Sequence, residues 1–131
     1  MKIYTTTQKN LKKIKNNNLV PIEISEIYRP HWEGLTYDKL APNLVMLLEL
    51  HTRSKDTDFF IDCYKKEILS KLNPEEVIKD LKKLSEGKDV ALICQENTNH
   101  GNTVANWLKN YKDKTVNVAD YSKSNLKNMT K

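Results

Sequence analysis

Asp89-Val90-Ala91-Leu92-Ile93-Cys94 holds an unbroken apolar run between two polar stretches, Ser85 to Lys88 and Gln95 to Asn99. The run is too short for a helix at this point. It suits a strand buried on both faces, and such strands belong to parallel sheets with helices packed on either side. Just before it lies a helix with a strong start: Asn73 as cap, Pro74 at the first position and Glu76 at the third. Val77, Ile78, Leu81 and Leu84 form its apolar stripe, and Gly87 closes it. Just after the run, Val104, Trp107 and Leu108 share one side of another helix, and Val116 with Val118 mark a last strand.

The same alternation extends toward the N-terminus. Residues 2–6 are β-branched and aromatic and predict a strand. Thr7 can cap a helix from Gln8 to about Asn16, with Leu11 and Ile14 facing inward and Asn16-Asn17-Asn18 ending it. Leu19 to Ile27 alternates around Ile22, Ile24 and Ile27 and predicts a second strand. Tyr28 to Pro42 contains Pro30, Gly34 and Pro42 and predicts an extended loop, long for a passive connection. Pro42 opens a helix running to about Thr52. After a cap at Asp56, Phe60, Tyr64, Ile68 and Leu72 predict one more helix. The pattern is an α/β domain over residues 1–121, with a mainly parallel sheet and helices on both faces. Residues 122–131 read as a polar, basic, disordered tail.

A chain of 131 residues holds one core of this kind. No apolar run exceeds that of Leu44 to Leu48, far short of the roughly 18 residues of a membrane span, and with Met1-Lys2-Ile3-Tyr4 running straight into threonines no leader is expected. A soluble, cytoplasmic protein is expected, with Cys63 and Cys94 as free thiols. The formal charge of +5 sits at the ends. Five lysines fall within residues 1–18 and three within 122–131, neither stretch holding an acid; without those eight, 14 basic side chains face 17 acidic ones. With two arginines in the chain, Arg29 and Arg53, base-reading of nucleic acid is disfavoured. His31, His51 and His100 lack ligand spacing, so no metal site is expected.

In open parallel sheets ligands bind beyond the carboxyl ends of the strands. Two segments fall there. Cys94 to Thr103 gathers a thiol, the Glu96 carboxylate, the His100 imidazole and the amides of Asn99 and Asn102, with Gly101 permitting close backbone approach. The N–H groups at the helix start favour an anion and keep His100 neutral. The plainer alternative has Asn99 or Thr98 capping the helix, His100 facing water and Cys94 as an inert buried thiol. The second segment, Tyr28 to Tyr37, pairs Arg29 with Trp32 and Tyr37, the combination that holds a phosphate beside a planar base. Its alternative is a loop pinned by Trp32 on the body of the domain.

Several motifs in order resemble the YeaO-like family, domain of unknown function 488. Arg29-Pro30, Trp32, Gly34, Tyr37 and Leu40-Ala41-Pro42 are similar to its first signature. Glu67, Leu69, Leu72 and Pro74-Glu75 resemble its middle helices. Asp89 to Cys94, Glu96, His100, Val104-Ala105 and Trp107-Leu108 resemble its third motif. The resemblance implies a small Rossmann-like three-layer domain with a pocket between the two signature loops. Where the family carries a Cys-His-Arg triplet, this chain has Asn99-His100-Gly101, so chemistry that needs the second cysteine or the arginine is not implied.

The expected function is binding of a nucleotide-like or phosphorylated small molecule between the 28–42 and 94–103 loops, including sequestration without turnover. Arg29, Trp32, Tyr37, Asn99, His100, Gly101 and Asn102 would line the site. A hydrolase or transferase using Cys94, Glu96 and His100 is the enzymatic alternative, with its cofactor undefined. A protein- or nucleic-acid-binding module using the basic ends is the third. The apolar excess of Leu44 to Leu50 predicts a homo-oligomer.

Overall fold

A computed structural model describes residues 1–25, 32, 34–43, 45–48, 57–94, 100–110 and 117–120. Five parallel strands form one sheet: β1 (Lys2–Thr7), β2 (Val20–Glu23), β3 (Leu35–Thr36), β4 (Val90–Cys94) and β5 (Asn117–Asp120). Their spatial order is β3-β2-β4-β1-β5, every pairing parallel. β4, the continuous apolar strand, lies between β1 and β2 with all five residues buried.

The alternation of side chains along the strands divides the core in two. On one face Ile3, Ile22, Val90 and Leu92 pack against three helices: α2 (Thr57–Glu67), α3 (Pro74–Ser85) and α4 (His100–Lys109). On the other, Tyr4, Ala91 and Ile93 pack against Ile14 of α1 (Leu11–Asn16), with Leu19 and Trp32 beside it. This is the expected α/β Rossmann-like arrangement with helices on both faces.

Local boundaries differ from the sequence pattern where side-chain hydrogen bonds compete with the backbone. The segment after β1 is a 3-10 turn, Gln8–Asn10, followed by α1, rather than one helix capped by Thr7. The Asn10 amide donates to Thr6 Oγ1 at 2.8 Å and caps nothing. α2 stops at Glu67 and a 3-10 turn, Leu69–Lys71, follows. Pro74 requires Asn73 to be extended, and Leu72 and Asn73 both are, so the helix has no path through them. Asn73 caps α3 as expected, accepting from Glu75 N at 2.9 Å, while Glu86 and Gly87 turn the chain through positive φ at its end. The 28–42 stretch contains β3 and a 3-10 turn, Asp38–Leu40, which the sequence pattern read as loop. Residues 45–48 are helical and start at an Asn43 cap, Met46 N donating to Asn43 Oδ1 at 2.9 Å, rather than at Pro42. The tail from residue 122 lies outside the described residues.

Candidate functional site

Because the strands are parallel, their carboxyl ends gather at one edge. β1 leaves that edge toward α1 on one face, while the chain after β4 returns as α4 on the opposite face. Adjacent strands whose connections diverge in this way open a crevice between them. Thr7 and Cys94 stand opposite each other in register at this edge.

Polar groups line this edge. Thr5 and Thr7 project from β1 on the α4 side, and among the described residues the buried Oγ1 of each has no hydrogen-bond partner. Thr5 is 1% exposed, and its Cβ lies 3.5 Å from where a side chain on Gly101 would begin, under the first turn of α4. On the opposite side, Glu23 at the end of β2 is 1% exposed and accepts from the N–H and hydroxyl of Ser25. These groups were missed in the sequence. Thr5 and Thr6 read as strand formers and Thr7 as a helix cap, and Glu23 falls within an alternating strand without a role of its own. A sheet covered on both faces has no solvent side.

His100, the first residue of α4, is fully buried. Its Nε2 lies 2.9 Å from the Ile24 carbonyl, which can only accept, so Nε2 carries the proton. The ring packs against Tyr64 and Phe60, with centroids 5.0 and 6.5 Å away. Burial lowers its pKa to about 4, the Ile24 hydrogen bond opposing this in part. The imidazole is therefore neutral, as the sequence predicts, but burial is the chief cause. The alternative of a water-facing His100 is overturned. Tyr64, whose hydroxyl donates to Leu40 O at 2.5 Å, has its ionisation pushed well up by the same burial.

Cys94 is also buried, and its thiol donates to Thr6 O at 3.3 Å. A Cβ on residue 101 would sit 2.7 Å from its sulfur, so Gly101 lets α4 approach the sheet itself rather than a ligand. Neither Cys94 nor His100 turns its reactive atom to solvent.

The two aromatics of the 28–42 stretch do not meet. Trp32 packs on the α1 face, its indole N–H donating to Leu35 O at 2.9 Å and its ring lying where a side chain on Gly34 would be. That is the pinned-loop arrangement. Tyr37 lies in the main core on the other face, and its hydroxyl donates to Asp80 of α3 at 2.5 Å. This bond and Lys39, 3.5 Å from the same carboxylate, hold the Asp80 pKa below its usual value. Asn102 is half-buried in the first turn of α4. Arg29, Glu96 and Asn99 lie outside the described residues. Among the described residues no cluster of His, Cys, Asp or Glu has metal-site geometry, and no helix is long and apolar enough to cross a membrane.

The fold thus defines an open parallel α/β domain with polar side chains at the carboxyl edge of its sheet. No family model, curated protein or solved structure matches the chain.

Proposed function

We propose that the chain is a small-ligand binding domain that holds a nucleotide-like or phosphorylated molecule at the carboxyl edge of its sheet. The observation that carries this is the pair of buried hydroxyls at Thr5 and Thr7, beside the start of α4, that find no partner among the described residues. A buried hydroxyl without a partner costs about 1–3 kcal/mol and calls for an explanation, and a bound acceptor such as a phosphoryl oxygen supplies one. The first N–H groups of α4, which no carbonyl of the helix itself can satisfy, favour the same charge. Arg29, Glu96 and Asn99 would complete the site from the 28–42 and 95–99 segments, with Asn102 at its edge. His100 and Cys94 serve in this reading as supports of the α4 start, and the ligand is retained without turnover. The resemblance to the YeaO-like family belongs to the same proposal. So do a cytoplasmic setting, which suits the free thiols Cys63 and Cys94, and self-association through the 45–48 helix, where Val45 and Leu48 are 64% and 54% exposed.

The test is a thermal-shift series with nucleotides and inorganic phosphate on the parent protein and on Thr7→Val. Without ligand, Thr7→Val is expected to be more stable by about 1 kcal/mol, because an orphan hydroxyl is gone. With ligand, the parent gains roughly 2.7 kcal/mol at a hundred times Kd, and Thr7→Val gains far less. Equal ligand response in the two proteins would remove the threonine edge from the site.

A further inference from the structure

A pocket of about 360 Å³ lies between the end of α2 with its following 3-10 turn and α4. Thr103, Asn106 and Trp107 of α4 and Asn110 just past its end follow the i, i+3, i+4 and i+7 spacing that aligns side chains along one helix face. Lys65, Leu69 and Ser70 form the facing wall. The volume falls within the range of small-molecule sites, about 300–1,000 Å³.

Its chemistry is selective. Among the described residues the lining contains one cation, Lys65, and no acid. Trp107 is half-buried, packed against the main core, so its indole is a fixed flat surface rather than a mobile one. Asn106 and Asn110 carry amides that both donate and accept, and Ser70 and Thr103 add hydroxyls. A flat wall, one positive charge and paired amides match a planar ring that bears an anionic group and polar ring edges.

We propose that this pocket is a second binding site, for a small heteroaromatic carboxylate. The ring lies on Trp107, the carboxylate pairs with Lys65, and the ring heteroatoms meet the amides of Asn106 and Asn110. Ser70 and Thr103 sit at the rim. Among the described residues the strand-end site shares no side chain with this pocket, so the two proposals stand or fall separately.

Orotate and uracil make a matched pair of probes, alike in ring and differing in the carboxylate. The chain has two tryptophans, so the indole N–H resonances of Trp107 and Trp32 report each region in one spectrum. Trp32, tied to Leu35 O, is the internal control. Orotate is expected to move the Trp107 resonance saturably and leave Trp32 in place. Uracil, and orotate on Lys65→Met, are expected to bind about tenfold more weakly or worse. Asn106→Ala, also a surface change, should weaken both probes. No movement of Trp107 up to about 10 mM orotate, below any useful affinity, would overturn the site. Equal affinity for the two probes would overturn the role of Lys65 and with it the proposed ligand class. Loss of the Trp107 response in Thr7→Val would place the probe at the strand ends instead, again overturning the second site.

Discussion

As pH falls from 6.5 to 4 the protein is expected to lose on the order of 3 kcal/mol of stability, most of it through His100. The sign follows from the direction of the shift. His100 has a pKa of about 4 in the folded chain against 6.5 in its ordinary state. Between those values the unfolded chain takes up the proton and the folded chain does not, so stability rises with pH across the window. The contribution is complete above pH 6.5 and gone below pH 4. Asp80 adds a loss of the same sign lower down. Its carboxylate is favoured chiefly by the Tyr37 hydrogen bond, so its share vanishes only as pH drops below the usual carboxylate value. Urea unfolding of the parent and of His100→Gln at pH 7 and pH 4.5 separates the two. The glutamine variant starts less stable, having lost the Tyr64 and Phe60 ring contacts. Its loss between the two pH values should be smaller than the parent's by about 2–3 kcal/mol. Equal losses would mean that the imidazole is hydrated rather than buried.

Gly101→Ala is expected to cost about 2 kcal/mol although it adds a single methyl group to a helix. Alanine would ordinarily gain roughly 0.5–1 kcal/mol over glycine inside a helix. Here its Cβ would lie 2.7 Å from Cys94 Sγ. The sulfur is enclosed and bonded to Thr6 O, so yielding means giving up that bond in a buried place. Replacing the sulfur should relieve the clash, since the next atoms, Thr5 Cβ and Cys94 Cβ, are at 3.5 and 3.9 Å. Gly101→Ala combined with Cys94→Ala should therefore be at least 1 kcal/mol more stable than the sum of the single changes indicates. Strict additivity by urea unfolding would show that α4 and β4 are not in such close contact.

What the sequence made legible follows from which interactions are local. β4, α3 with its Asn73 cap, and the alternation leading to a parallel sheet are all written in periodicity and capping residues. The crevice at the strand ends is a general consequence of that topology. The individual partners within it are not. Glu23 and the threonines become buried only because α1 and α4 cover opposite faces, a tertiary fact that no nine-residue window contains. Trp32 and Tyr37 lie five positions apart yet belong to opposite faces, because β3 passes between them through a pairing with β2. His100 drew notice for its place at a helix start. Its bond to Ile24 O spans 76 residues, and only the packed fold makes it a buried tie between α4 and the end of β2.

Native mass spectrometry of the purified protein, followed by addition of nucleotides to the stripped protein, tests the binding proposal most directly. The expected result is a saturable adduct whose mass equals that of the added or copurified nucleotide, recovered chemically unchanged and reduced in Thr7→Val. An adduct that is converted to product would make the domain an enzyme. Bare protein masses throughout, at nucleotide concentrations up to about 1 mM, would contradict ligand binding at the strand ends.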